Sequence, residues 1–291
     1  MTVAPARSIG PVGPYVDLHA HSTASDGSQS PTALVTAAKG AGLTAIAITD
    51  HDTMAGVPEA AIAGATLGVR VVPGVELSAT DGDREVHLLG LHIQRGDALE
   101  DALRTFRDSR HVRAEQIVAK LNALGVPIAF DDVLAHAAGA ALGRPHVAKV
   151  LIEGGWARDS RDAFDRYLGA GRPAFVPKHR LAMSEAIALV HAGGGIAVLA
   201  HPGGEGRREV VERFVALGLD GLEVRHPGHS NEDAARLGAL VEFFGLVPSG
   251  GSDWHGAFEG SRVLGCMRVP LAWLEQQDAR AAVRRAAEFA A

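Results

Sequence analysis

Short apolar runs rich in β-branched residues alternate along this chain with Ala-rich stretches of helical period. That pattern predicts a mainly parallel sheet flanked by helices. Seven runs read as strands, at residues 16–21, 45–50, 70–78, 85–93, 196–201, 221–225 and 246–250. The tight turn Asp81-Gly82-Asp83 joins the third to the fourth. Ser30-Pro31 predicts a capped helix start with proline at the first helical position. Further helices are expected over about 58–67 and 272–289. From about 97 to 173 the rhythm breaks. This stretch has helical period and helix starts, at Asp131-Asp132 and Gly143-Arg144-Pro145, but no convincing strand. The expected fold is an α/β barrel formed by residues 15–96 and 174–291. A helical subdomain, residues 97–173, is inserted into it and lies over the barrel mouth. Residues 1–14 hold three prolines and two glycines and read as a flexible lead-in.

Composition narrows this picture modestly. The chain has 291 residues, 47% hydrophobic and 21% charged, with a formal net charge of −6. That is enough for one large soluble α/β domain with a modest insertion. The acidic balance leaves no basic face, so stable binding to duplex nucleic acid is not expected, while a short single-stranded substrate stays open. A single cysteine, Cys266, cannot form a disulfide within the chain and fits a reducing cytoplasm. It lies away from the chemistry and reads as inert. The start of the chain lacks the basic and apolar segments of a signal peptide. No apolar run approaches the roughly 18 residues that a membrane span requires.

The chemistry lies where the apolar runs stop. His19 and His21 are two apart, so on a strand they share a face, and Asp26 follows on the outgoing loop. Thr49-Asp50-His51-Asp52 leaves the second run, where two acids and a histidine would be costly in a core but natural at a site. Glu76 lies near the end of the third run, and His87 comes eleven residues later across the hairpin. His201 follows the fifth run, and Asp253 and His255 form a second pair two apart after the last. In a barrel such ends converge on one face. The pattern therefore predicts a metal cluster at the mouth. Without thiolates, a mixed imidazole and carboxylate set suits Mn²⁺, Fe²⁺ or Zn²⁺ better than Ca²⁺. His92 is out of phase with His87 and should face the other side.

Specificity is expected from residues outside that set. Arg144 and His146 open a helix in the insertion, where an arginine beside a helix N-terminus suits a second phosphate. Lys178 belongs to a short basic run, 177–180, where the chain re-enters the barrel; the run reads equally as a solvated loop or a substrate clamp. His226 and His229 follow the sixth run and are candidates for protonating a leaving oxygen or binding phosphate. His111, His136 and His191 read as ordinary helix-surface residues.

Taken in order, H-x-H, T-D-H, the glutamate, the late histidine and S-D-x-H resemble the motifs of the PHP (polymerase and histidinol phosphatase) family, over all but the lead-in. The resemblance implies a distorted (β/α)₇ barrel with two or three divalent ions, Mn²⁺ first among them. By resemblance, His19, His21, Glu76 and Asp253 hold one ion. Glu76, His87 and His201 hold a second, and Asp26, His51 and His255 a third. Asp26 stands where some relatives have histidine. The opening H-A-H-S-T-A-S-D-G, the segment G-R-P-H and the ending G-S-D-W-H are similar to compact, nucleotide-acting PHP phosphoesterases. They imply hydrolysis, by metal-activated water, of 3′,5′-bisphosphate nucleotides or of short oligonucleotides from the 5′ end, with Arg144 on the terminal phosphate. Alternatives are a histidinol-phosphate or other small-molecule phosphomonoesterase, and a non-catalytic PHP module.

Overall fold

Burial on both faces explains why the apolar runs become strands. In Ile196–Leu199 every side chain is buried, Ile196 and Val198 in one apolar cluster and Ala197 and Leu199 in another. Fully burying each large aliphatic side chain contributes about 1.5–3 kcal/mol. The computed structural model describes residues 14–137, 142–177, 181–256 and 262–288. Its strands are β1 (Tyr15–Asp17), β2 (Ala45–Ile48), β3 (Arg70–Asp81), β4 (Arg84–Leu91), β5 (Leu181–Ala182), β6 (Ile196–Leu199), β7 (Gly221–Arg225), β8 (Val247–Gly250) and β9 (Val269–Pro270). They form one sheet in the order β8-β7-β6-β4-β3-β2-β1-β9, with β5 added beside β3. Most pairs are parallel. β4 runs antiparallel to both neighbours, β3 and β6, and β9 runs antiparallel to β1.

The sheet curls until its ends meet. The amide of Leu18 donates to the Gly250 carbonyl (3.1 Å), and that of Asp253 donates to the His19 carbonyl (2.9 Å). The seven expected strands are thus the nearly closed barrel β1–β4 and β6–β8. β1 is shorter than its apolar run. It stops at Asp17, whose buried carboxylate accepts the amides of Ser252 (2.9 Å) and Gly265 (2.8 Å). The histidines beyond it are tied by closure contacts instead of a ladder. β5 and β9, two residues each, were too short to leave a periodicity.

Helices α1 (Pro31–Gly40), α2 (Val57–Leu67), α7 (Met183–Ala192), α8 (Arg208–Ala216), α9 (Asn231–Phe244) and α10 (Leu271–Glu288) surround the barrel. Between β4 and β5 come α3 (Gly96–Ala123), α4 (Phe130–Ala137), α5 (Arg144–Glu153) and α6 (Ser160–Ala163), then a π-helical turn at Phe164–Leu168. α3 serves two cores. Leu99 and Leu103 pack into the barrel cluster, while Ile117 and Leu121 join Val133, Val147 and Leu151 in a separate one. Among the described residues, no helix is long and apolar enough to cross a membrane.

Candidate metal centre

Each strand end delivers its polar side chain for a local reason. The Thr49 hydroxyl accepts the Ala20 amide (3.0 Å) and its own amide donates back to the Ala20 carbonyl (2.9 Å). Asp50 accepts the Ser22 amide (2.7 Å) and the hydroxyls of Ser22 and Ser25 (2.8 Å each). These two residues hold the His19–His21 loop and leave His51 to face the centre. Gly251 is required by packing: a Cβ there would lie 2.4 Å from the His19 nitrogen. His201 and Asp253 sit at positive φ, 26° and 51°. Such backbone costs on the order of 1–3 kcal/mol each and is typical of functional positions.

Glu76 is the hub. Its Oε2 lies 3.2 Å from His19 Nε2 and 3.1 Å from His21 Nε2. Asp253 Oδ1 faces the same two nitrogens at 3.3 and 3.2 Å. The other oxygen, Oε1, lies 2.8 Å from His87 Nδ1 and 2.9 Å from His201 Nε2. His51 Nδ1 approaches Oε2 at 3.4 Å. A third group surrounds Asp26, with His255 Nε2 at 3.4 Å, His21 Nδ1 at 3.7 Å and His51 Nε2 at 3.8 Å. All nine residues singled out from the sequence therefore meet at one mouth. His92 turns away to the far end of the barrel, against Gln277 and Asp278.

The electrostatics favour positive charge here. Burial opposes the imidazolium of His19, but Glu223 and Glu76 outweigh it and raise its pKa well above the ordinary value. The same contest, with Glu76 and Glu85 prevailing, lifts His87 to about 9. Hydrogen bonding to Asp26 overcomes burial and lifts His255 to about 9. Burial works against ionised Glu76, yet its histidine neighbours hold its pKa well below the usual carboxylate range. Asp26 is drawn down to about 2, against its burial, by His255 and His51. Two observations fit cations better than protons. The Nε2 atoms of His19 and His21 face each other at 3.2 Å around shared carboxylates. The Nδ1 atoms of His21 and His51 are buried without a hydrogen-bond partner. Imidazole nitrogens converging on carboxylate oxygens are the donor set of Mn²⁺, Fe²⁺ or Zn²⁺.

The remaining candidates are placed differently. His226 reaches the mouth, with Nε2 3.3 Å from Asp253 Oδ2 and Nδ1 accepting the Gly228 amide (3.0 Å). His229 has both ring nitrogens engaged with backbone, Nδ1 toward the Val224 carbonyl (3.0 Å) and Nε2 accepting the Gly203 amide (3.1 Å). That leaves it no nitrogen for an acid's role while those bonds hold; it braces the loop behind His201. Arg144 opens α5, stacked on Phe164 and Phe175 and donating to the Leu168 carbonyl (3.1 Å). His146 Nδ1 accepts the Gly143 amide (3.1 Å) and so caps α5. Among the described residues, no hydrogen bond or ion pair joins Arg144 or His146 to the cluster. Lys178 falls outside the described residues.

Two contributors escaped sequence reasoning. Glu223, fully buried within β7, lies 3.1 Å from His19 Nδ1 and accepts the His201 amide at 2.7 Å. An acid in the middle of the apolar run G-L-E-V-R was the available signal. Arg110 of α3 bonds Asp52, which also accepts the amide (2.9 Å) and hydroxyl (3.0 Å) of Ser78. This clamp docks α3 beside His51.

A match to the PHP domain spans residues 17–170. A 5′-3′ exoribonuclease of Haemophilus influenzae is 39% identical over 245 residues, 82% of this chain and 89% of its own length. The chain belongs to the PHP family. A 3′,5′-nucleoside bisphosphate phosphatase of Chromobacterium violaceum is 36% identical over 257 residues, 86% of this chain and 90% of that protein. Among solved structures, a protein assigned as a metal-dependent phosphoesterase from Bifidobacterium adolescentis superposes with a TM-score of 0.73 at 33% identity, covering 93% of this chain and 97% of that one. As a PHP member with this constellation, the chain is a metal-dependent phosphoesterase.

Proposed function

We propose that this PHP enzyme hydrolyses 3′,5′-bisphosphate nucleotides and short 5′-phosphorylated oligonucleotides, acting from the 5′ end. The observation that carries this reading is Glu76, whose two oxygens each face a different group of histidines. The names of the two relatives, a bisphosphate phosphatase and an exoribonuclease, support the substrate class. His19, His21, Glu76 and Asp253 would hold one cation, Glu76, His87 and His201 a second, and Asp26, His51 and His255 a third. Mn²⁺ is the proposed ion, with Fe²⁺ or Zn²⁺ as alternatives. Divalent cations in such a cluster acidify water and neutralise phosphate oxygens.

The protein's own groups do the rest. Glu223 fixes the His19 ring through Nδ1, as an outer carboxylate typically orients a ligand histidine. His226, at hydrogen-bond distance from Asp253, keeps that carboxylate aimed and is the proposed proton donor to the departing oxygen. Arg144, at the first turn of α5, receives the 5′-phosphate together with the helix N-terminus; Lys178 is a further proposed substrate contact. Residues 97–173 act as the cover that measures this second phosphate. Because recognition starts from a chain end, no basic groove is needed, in keeping with the net charge of −6. The proposed setting is the cytoplasm, without duplex binding.

The test is phosphate or mononucleotide release from adenosine 3′,5′-bisphosphate (pAp) and 5′-phosphorylated diadenylate (pApA), compared with histidinol phosphate, by Mn²⁺-loaded protein. Turnover of neither nucleotide with metal bound sinks the proposal, as does a preference for histidinol phosphate. Arg144→Ala should lower kcat/KM for pAp about 10–100-fold, the worth of a charge-assisted contact, and that for p-nitrophenyl phosphate far less. Equal losses would remove Arg144 from recognition.

A further inference from the structure

A cavity of about 460 Å³ opens between the start of β4 and the end of β6. His87 and His201, which face Glu76 Oε1, form its inner wall. Val86, Leu199, Val210 and Phe214 give it an apolar side, and Arg84 and Glu205, paired with each other, stand at its rim. Its volume falls within the roughly 300–1,000 Å³ of small-molecule sites, and an apolar wall with a few polar groups is their usual lining. None of the roles assigned so far uses it.

Its position decides what it would hold. The insertion docks beside the end of β2, through Arg110 to Asp52 and through Glu100, which accepts the Met54 amide (2.7 Å), whereas the cavity lies further along the sheet, at β4 and β6. A substrate whose 5′-phosphate is held by Arg144 has its first nucleoside between the insertion and the histidine cluster. A bisphosphate then ends at the cluster, and nothing of it extends past His87 and His201. A phosphodiester continues, and the next group on the phosphate enters this cavity. We propose that the β4–β6 cavity is the binding site for the nucleoside downstream of the scissile phosphate, and that it is what allows one site to serve both diester and monoester. The proposal rests on the function proposed above.

The chemistry is the same for both substrates. Water adds to phosphorus, the P–O3′ bond breaks, and the departing 3′-oxygen takes a proton. The phosphate leaves as inorganic phosphate from pAp, or still esterified to the downstream 5′-oxygen from pApA. The downstream base lies along the apolar side, and Arg84 and Glu205 meet its polar edges or the ribose hydroxyls.

Gly204 offers the test. It lines the cavity, a Cβ there meets nothing within 4 Å, and its backbone is unstrained. Gly204→Trp fills the space with little risk to folding, and Gly204→Ala is the control. With Mn²⁺-loaded protein, kcat/KM for pApA relative to pAp should fall at least tenfold in Gly204→Trp and stay near wild type in Gly204→Ala. Calorimetric binding of a pApA analogue with methylene in place of the bridging 3′-oxygen should weaken by a similar factor. An unchanged ratio, or equal loss on both substrates, overturns the cavity assignment while leaving the proposed function intact. A wild-type protein that cleaves neither substrate overturns both.

Discussion

The two ends of the barrel carry the same residue types in opposite states of balance. At the floor, Asp220 is fully buried and is met by Arg284 Nε (2.8 Å), His191 Nε2 (2.8 Å) and the Ala197 amide (3.0 Å). Asp278 is met there by the Arg70 guanidinium and by His92. At the mouth, among the described residues, the ion-pair partners of Glu76 and Asp26 are imidazoles, and Asp253 adds Arg262, at 3.4 Å. A guanidinium is charged at any pH the protein meets, so the floor is permanently neutralised. An imidazolium, unlike a guanidinium, can give up its proton, here as pH rises through about 9 at His87 and His255, so the mouth is balanced only while protons or cations are supplied. The floor is therefore built for stability and the mouth for chemistry, as the barrel architecture generally divides them.

Breaking the mouth at its hub should have the largest effect. Glu76→Gln removes one charge from two ligand groups at once. Activity on pAp should fall at least about a thousandfold, several kcal/mol of transition-state stabilisation. Metal content measured by elemental analysis should drop below that of wild type, while the circular dichroism stays native. Full metal occupancy with unchanged turnover would refute the role given to Glu76. Metal removal by a chelator should have the same effect on activity and should lower Tm, since ions that bind only the folded state stabilise it by about 2.7 kcal/mol at a hundred times Kd.

The matching change at the floor is Asp220→Asn, which strands Arg284 and His191. A loss of about 2–4 kcal/mol in unfolding free energy is expected, with kcat/KM per folded molecule unchanged. Burial works against ionised Asp220, but His191, the Ala197 amide and Arg284 prevail and depress its pKa. A depressed carboxylate contributes stability above its unfolded pKa of about 3.9, and that stability is lost as pH falls through the native value. Urea unfolding from pH 6 downward should therefore show a shallower acid decline in the Asn variant. A parallel decline would mean that Asp220 is not the titrating group.

The contrast also shows what could be read from sequence. The residues that gather at the mouth were legible because a polar residue that ends an apolar run leaves a visible break, as at His51, His201 and Asp253. Seven barrel strands were legible because burial on two faces demands continuous apolar runs. Glu223 was missed because an acid inside an apolar run marks an unusual residue but not its partner, the His19 ring, 204 positions away. Arg110 in a long polar helix looks like any solvated side chain until α3 is laid against Asp52. The division of α3 between two cores is equally silent, since a helical period says that a face is buried but not against what. His146 and His229 were noticed for their chemistry, yet the backbone amides of Gly143 and Gly203 claim one of their nitrogens each.

Two smaller perturbations sharpen the division further. Glu223→Gln keeps a hydrogen-bond partner for His19 but removes a charge from behind it. Losses of outer carboxylates of this kind cost about 10–100-fold in metal affinity or activity. A metal titration of the stripped protein should show that shift with little change in Tm. A change in Tm without a change in affinity would make Glu223 a packing residue. The smallest effect belongs to Arg70 and Asp278, a floor pair with side chains 49% and 37% exposed. Exposed ion pairs contribute about 0–1 kcal/mol and are screened by salt, so Arg70→Ala should cost less than that, and the cost should shrink further in 1 M NaCl. A salt-insensitive loss of several kcal/mol would show that Arg70 and His92 hold the floor as a unit, and the permanent neutrality of this end would then depend on its rim as much as on Asp220.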